Sequence, residues 1–473
     1  MAQVYSARWN DASNHSKRRR IFNVPEFKRL AAAAVNQNAE DVRSLGKLAE
    51  GGFNRTFLIT MRDGFQFVGR VPYPMTAPRN LVVASEVATM DFLRLHGIPV
   101  PHIYSYSTTS QNTAGTEYIF MDLVRGTKLG DIWFDLSEKA RITVITSLVE
   151  LESKLFALRF PASGSLYHIK DLQSASSRVE VPLPDSTPNS DFCIGPDTRL
   201  SLWYGKRADI EIDRGPFTDP AAVLTAGAKK EIAYLAKFGR PLHPFQRLRR
   251  DIYDYKKRLP SDHCSIPNSL QNYRDDICES PLTTPTLPPN FEELSEKEQF
   301  EQVELLRRRQ LHYFYVAMTA KLNPIHYDAL AYDYSILRRK LFDYSSCPWQ
   351  GDNVTLKADL IYLVKNWSNI AAQESSTKDD AKALCPISFT EDEVLECERL
   401  NDSQIEADKL LQAYRDFVGI GVDGWVPLEE YESTKQREIN LKACALEAAE
   451  SEEERAILSE HWISDDFDEA EYS

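Results

Sequence analysis

Two spacings of apolar and polar residues follow one another along this chain. Between Lys47 and Pro74 the apolar runs Phe57 to Met61 and Phe65 to Val71 flank Asp63-Gly64, which predicts a β-hairpin closed by a type I′ turn with positive φ at both central residues. Beyond the turn the side chains alternate, placing Phe65, Phe67 and Val71 on one face and Gln66, Val68 and Arg70 on the other. Gly51-Gly52 interrupts the extended segment just before the hairpin, where glycine lets the backbone approach a bulky group. From Leu81 to Leu95 the period lengthens to that of a helix, with Val83, Val87, Met90, Phe92 and Leu93 near one stripe and Glu86 and Asp91 as its acids. Gly97, Pro99 and Pro101 end that helix, and a further strand is expected over Glu117 to Asp122, leading into Leu123-Val124-Arg125-Gly126. An acid on a helix that follows such a strand can pair with Arg70, and Glu86 is the nearer of the two to the helix start.

The remainder reads as largely helical. Ser137 can cap a helix carrying Val144, Leu148, Leu151, Leu155 and Leu158 at core spacing. Asp171 to Pro216 reads as a long irregular stretch rich in Ser, Pro and Asp. Helices are predicted over Pro25 to Val35, Pro220 to Phe238, Pro244 to Lys257, Phe291 to Lys321, Pro324 to Phe342 and Leu356 to Trp367. From Thr390 onward acids crowd two further helical patterns, Glu391 to Phe417 and Leu428 to Trp462. Such a charge run is ordinarily a solvated face; its sharper reading is a docking surface for a basic protein partner.

Composition narrows the classes. At 473 residues the chain exceeds a single compact core, and 42% apolar with 27% charged residues describes an ordinary globular protein. A formal charge of -14 argues against a nucleic-acid surface. Seven cysteines without C-x-x-C spacing suit a reducing compartment and give no metal site. No apolar run is long enough to span a membrane, and the first residues lack the apolar core of a secretory signal. Met1 to Gln37 is short of acids and carries Lys17-Arg18-Arg19-Arg20, a weak mitochondrial address, so an intracellular location is expected, cytoplasmic or mitochondrial. G-x-S-x-G, H-E-x-x-H and Walker lysine motifs are absent, which leaves hydrolase, zinc-protease and P-loop readings without support.

The order of glycine-loop hairpin, basic residue on the third strand, helix with a glutamate, Gly97-Ile98-Pro99-Val100-Pro101, apolar strand and hinge resembles the small lobe of the aminoglycoside phosphotransferase and choline kinase group. The resemblance is closest to its fungal branch, which includes kinase-like proteins of the altered-inheritance-of-mitochondria type. Its specific part lies in the runs GSLYH at Gly164 to His168, LWYGKR at Leu202 to Arg207, RRRQLHYFY at Arg307 to Tyr315 and PWQGDNVTLKADL at Pro348 to Leu360. It implies an α+β, protein-kinase-like two-lobed fold: an N-terminal arm over 1–37, a β-rich small lobe over 38–124, a helical lobe over 125–371, and an acidic helical extension over 372–473. It also implies ATP as cofactor, with backbone N–H groups around Gly51 and Gly52 over the phosphates and Asn54 nearby. Arg70, paired with Glu86, would stand in for the family's lysine, Val68 would lie against the adenine, and the Met121, Asp122 and Leu123 backbone would hold it. The implied reaction is transfer of the ATP γ-phosphoryl group to a hydroxyl of a small-molecule acceptor, which the sequence does not identify.

One part of that pattern is missing. The family's catalytic loop, H-x-D-x-x-x-x-N, and its metal-binding aspartate are not found at any histidine. His326-Tyr327-Asp328 has the first three positions, but Asp333 stands where asparagine is required, and the surrounding Leu330, Tyr334, Leu337 and Leu341 predict a helix instead. The loop is expected before Pro267, where only Arg258 to Ile266 follow the preceding helix, too few for a loop and a metal-bearing strand. An internal deletion of the catalytic hairpin accounts for this. It leaves Mg2+ without its usual ligands and three readings open: a phosphotransferase-type enzyme with impaired transfer, a pseudokinase that binds nucleotide or acts as a scaffold, or a truncated isoform or gene model of an active kinase.

Overall fold

The computed structural model describes residues 4–6, 19–51, 53–74, 76–172, 178–182, 191–203, 205–238, 285–346, 354–374, 384–420, 425–460 and 462. The predicted helix over Pro244 to Lys257, the region of the expected deletion up to Pro267, and Gly52 lie outside these residues.

The N-terminal part is a five-stranded antiparallel sheet. Strands β2 (Val42–Glu50), β3 (Asn54–Met61), β4 (Gln66–Pro72), β5 (Ile103–Ser107) and β6 (Tyr118–Asp122) lie in the order β2-β3-β4-β6-β5. Helix α1 (Val24–Ala34) covers one face, where Phe27, Ala31 and Ala32 are packed among Ile59, Met61, Phe67, Val71 and Phe120. The helix predicted within the N-terminal arm is therefore part of the sheet's core. Helix α2 (Leu81–Leu95) covers the other face, setting Val83 and Val87 against Val68, Ile103, Ile119 and Met121. With both faces covered, β4 can be almost continuously apolar while the alternation read from the sequence still holds. Gly69 is the point of closest approach, since a Cβ there would lie 2.9 Å from Phe27 Cζ and 3.1 Å from Phe120 Cε1.

The turn between β3 and β4 differs from expectation. Gly64 alone takes a positive φ (+90°), and Asp63 does not. Gly64 N–H donates to Met61 O at 3.1 Å, Met61 N–H to Phe65 O at 2.9 Å, and Phe65 N–H to Asp63 Oδ1 at 2.9 Å. This is a three-residue loop with glycine in the left-handed position, and the Asp63 carboxylate supplies the closure that a type I′ pair would have made through the backbone.

Asp171 to Pro216 is not simply irregular. β7 (Ser165–His168), β8 (Val179–Glu180) and β9 (Phe192–Gly195) form a small antiparallel sheet, and Leu166, Phe192 and Ile194 pack on Ala88 and Phe92 of α2. One helix is thus held between two sheets. Beyond the one-turn α3 (Leu129–Ile132), the helical part comprises α4 (Glu138–Ala157), α5 (Pro220–Phe238), α6 (Glu296–Leu322), α7 (Pro324–Ala331), α8 (Ser335–Ser346), α9 (Val354–Lys365) and α10 (Trp367–Glu374). Ser137 caps α4 as expected, its Oγ accepting from Ala140 N–H. The single helix predicted over Pro324 to Phe342 is broken at Tyr334, which has φ +57° and cannot continue a right-handed helix. His326 lies on α7, so His326-Tyr327-Asp328 is helical rather than an extended loop.

α5 lies against α8, α8 against α9, and α9 against α11 (Glu391–Val418) of the acidic extension. The pattern Leu428 to Trp462 splits into α12 (Leu428–Ala448) and α13 (Glu452–Glu460). Near the chain ends, β1 (Val4–Ser6) pairs with β10 (Trp425–Pro427). Among the described residues no helix is long and apolar enough to cross a membrane.

Candidate functional site

Strand β4 carries Arg70 out of the sheet on the α2 side, and the first turns of α2 bring Glu86 to meet it. Arg70 Nη1 donates to Glu86 Oε1, the pairing expected from the sequence. Burial pushes the Glu86 carboxyl above its ordinary value, against the opposing pull of the Arg70 guanidinium. Asn54, at the start of β3, holds the other edge of the same guanidinium. With its amide oxygen turned toward Arg70, Oδ1 accepts from Nη2 at 3.0 Å and from Nε at 3.2 Å. Asn54 and Glu86 together fix the fork, which a lysine ammonium could not be held by in the same way.

The glycine turn beside Asn54 is clamped. Gly51 N–H donates to Asn54 O at 3.0 Å, while Tyr73 N–H and Thr76 Oγ1 both donate to Phe53 O, at 2.8 and 2.9 Å. Glu50, immediately before the turn, accepts from Arg55 Nη2 at 2.7 Å and Tyr73 Oη at 2.5 Å and pairs with Lys47. Burial alone would raise this carboxyl; the hydrogen bonds from Lys47, Tyr73 and Arg55 outweigh it and hold the group at about 2.

Arg70, Glu86 and Asn54 open onto a cavity of about 520 Å³. Phe53, Thr76 and Val82 line its near side; Thr198, Arg199 and Ser201 line the far side, with Asp343 and Ser346 from the end of α8. Arg199 Nε is bound to Asp197 Oδ2 at 2.7 Å. Burial raises the Asp343 carboxyl, opposed by the fields of Arg339 and Arg199.

The far wall is held from behind by a buried ion cluster. Lys230 of α5 is wholly buried, and its Nζ donates to Ser201 O at 2.6 Å and Ser346 O at 2.7 Å. It also lies 2.8 Å from Glu231 Oε1, and Arg207 grips Glu231 with two parallel bonds of 2.7 Å. Gly227, one turn earlier on α5, leaves the room this requires: a Cβ there would lie 2.3 Å from Ser346 Cβ.

Of the residues expected at a nucleotide site, the structure brings Asn54, Arg70 and Glu86 together beside Gly51. Val68 and Met121 share their face of the sheet but are buried under Val83 and Val87 and do not line the cavity; Leu123 packs at the edge of that cluster. The Asp122 side chain points to the opposite face, accepting from Tyr104 Oη and from His102 N–H at 2.9 Å. Arg199, Ser201, Asp343 and Lys230 were not singled out in the sequence. Arg207 was read only as part of the run Leu202 to Arg207, and nothing in that run marks it as buried.

No family model matches this chain. A subtelomeric hrmA-associated cluster protein of Aspergillus fumigatus is 26% identical over 86% of this chain and 94% of its own length. Altered inheritance of mitochondria protein 9, mitochondrial, of Clavispora lusitaniae is 27% identical over 55% of this chain and 44% of its own length. Its Saccharomyces cerevisiae counterpart is 30% identical over 39% of this chain and 32% of its own length. The relatives are fungal, and the altered-inheritance type expected from the sequence is among them.

Proposed function

We propose that this chain binds a nucleoside triphosphate at the Arg70 cavity, on a protein-kinase-like fold of the aminoglycoside phosphotransferase and choline kinase type. The observation that carries this reading is the Arg70 guanidinium held between Glu86 and Asn54 beside a clamped glycine turn. A fork fixed on two sides, with N–H groups left over and a cavity in front of it, is suited to phosphate oxygens. The α/β-phosphates would lie on Arg70 and the Gly51 turn, with the rest of the nucleotide in the cavity between Val82 and the 198–201 turn. Phosphoryl transfer to a small-molecule hydroxyl is the ancestral reaction in this reading. Without an H-x-D-x-x-x-x-N loop the chain acts as a nucleotide-binding module, and losing a positioned acid or base alone lowers such a rate by about 10²–10⁴.

Thermal unfolding with and without ATP tests the reading. Nucleotide at 100 times Kd stabilises the folded chain by about 2.7 kcal/mol, and Arg70→Met removes that gain. An unchanged midpoint at saturating ATP in the parent chain rules the reading out. The names of the yeast relatives assign those proteins to mitochondria; we extend an intracellular, mitochondrial location to this chain, to be checked by fractionation of fungal cells.

A further inference from the structure

We propose that Asp343 is the carboxylate through which this cavity takes a divalent cation, Mg2+ or Mn2+, that arrives on the phosphates of the bound nucleotide. The inference rests on the nucleotide reading above and adds a ligand that the sequence pattern does not assign.

Among the described residues four charged side chains line the cavity: Arg70, Glu86, Arg199 and Asp343. Three are already engaged within the protein. Arg70 and Glu86 hold each other, with Asn54 on the second edge of the guanidinium, and Arg199 is bound to Asp197. The Asp343 carboxylate, by contrast, has no hydrogen bond or ion pair to any described residue. Arg339 and Arg199 act on it only through their fields. It also stands in the last turn of α8 (Ser335–Ser346), the negative end of the helix dipole, where an anion is disfavoured and a cation is favoured. A partly buried carboxylate placed there gains more from a cation than from water.

Thr198, Ser201 and Ser346 line the same wall, but the Ser201 and Ser346 carbonyls accept from Lys230, Thr198 Oγ1 is bonded to Ser165 Oγ and Ser346 Oγ donates to the Asp343 carbonyl. The wall therefore offers the cation a fixed carboxylate and leaves the other positions to phosphate oxygens and water. Among the described residues no three His, Cys, Asp or Glu side chains converge on a cation site. Metal alone should therefore bind weakly. Mg2+ commonly keeps several waters and takes only one or two carboxylates when substrate phosphates complete its shell, so one aspartate suffices once the nucleotide is bound. Metal and nucleotide should accordingly bind with positive coupling, each raising the affinity for the other.

The test is ATP titration by calorimetry, with excess Mg2+ and with EDTA, on the full parent chain and on Asp343→Asn. A second variant, Asp343→Ala, and thermal midpoints for each protein separate loss of the cation ligand from loss of fold. In the parent, Mg2+ should tighten ATP binding by about tenfold, within the usual range for coupled sites. In Asp343→Asn the enhancement should vanish while ATP in EDTA binds as well as before or better, because a negative charge near the phosphates has gone. Mn2+ paramagnetic resonance should show the free-ion signal falling when parent chain is added to Mn-ATP and falling less with the variant. If the parent binds ATP equally with and without metal, or Asp343→Asn keeps the full enhancement, or the variant weakens both conditions equally, the metal assignment is wrong and the nucleotide reading survives. Absence of ATP binding under either condition removes both.

Discussion

Replacing Lys230 by methionine removes one ammonium group and leaves the shape of the α5 face nearly unchanged. In the parent, Nζ donates to Ser201 O and Ser346 O and pairs with Glu231, all at 2.6–2.8 Å, from a wholly buried position. Stranding a buried charge costs about 3–5 kcal/mol, but Glu231 keeps the two bonds from Arg207, so that full penalty does not apply. The two carbonyls each lose a charged donor, about 1.5–3 kcal/mol apiece, and the methionine side chain regains part of this by packing. A net loss of about 3 kcal/mol follows. In a cooperative unit of about 150–250 residues this lowers Tm by about 6–12 °C. Lys229→Met is the control: its neighbour on the same helix is exposed, and a surface change of that kind stays within about 0.5 kcal/mol. The measurement is far-UV circular dichroism during heating, with urea unfolding for the free energy. Because Ser201 and Ser346 are cavity walls, amide hydrogen exchange at 200–203 and 343–346 should also quicken in the variant before the rest of the chain responds. If Lys230→Met and Lys229→Met melt together and exchange alike, the cluster does not hold the wall.

Gly227→Ala should cost about 1–3 kcal/mol, because its Cβ would meet the Ser346 Cβ at 2.3 Å, and nucleotide affinity should fall with stability in equilibrium titrations. Gly69→Ala should cost a similar amount through the Phe27 and Phe120 rings, but on the far face of the sheet from the cavity, so ATP affinity of the folded fraction should hold. Asn54→Ala should weaken ATP binding by about tenfold while leaving the Arg70–Glu86 pair formed, as calorimetry of the variant would show. The Glu50 carboxyl is depressed from 4.5 to about 2 in the folded chain. Its share of stability is therefore present above pH 4.5 and lost as pH falls toward 2, and Glu50→Gln should flatten the acid limb of unfolding followed by tyrosine fluorescence over that interval.

The near wall of the cavity was legible in the amino-acid order because it is made of neighbours in sequence. Asn54, Arg70 and Glu86 sit on a hairpin and the helix after it, where periods of 2 and 3.6 decide which way each side chain faces. The far wall was not legible, since its parts come together only through long-range packing. Lys230 and Glu231 occupy what reads as the polar stripe of an amphipathic helix, and such a stripe is normally solvated. They are buried because Arg207, more than twenty residues away, neutralises Glu231, and because Gly227 lets α8 approach. Asp343 has the same history: in a run of arginines and aromatics it is an ordinary helical acid until α8 is set against the 198–201 turn. The break at Tyr334 was equally hidden, since the apolar spacing of Leu330, Tyr334, Leu337 and Leu341 continues across it while the backbone does not.

These two origins explain how the site divides its chemistry. Every group on the near wall satisfies another: Arg70 is occupied on two edges and Glu86 on one, so that wall can present a fixed phosphate-binding edge with little reorganisation. The far wall is held in its backbone by Lys230, yet among the described residues it leaves one carboxylate without a hydrogen bond or ion pair. A buried ion cluster holds two carbonyls still, and a few residues away Asp343 has no partner among the described residues, so a cation arriving in the cavity would meet a carboxylate that no other described side chain has claimed. Arg199 is bonded to Asp197 and reaches Asp343 only through its field. In the reading proposed above, the positive group comes with the ligand, as a divalent cation on the phosphates that the two walls share.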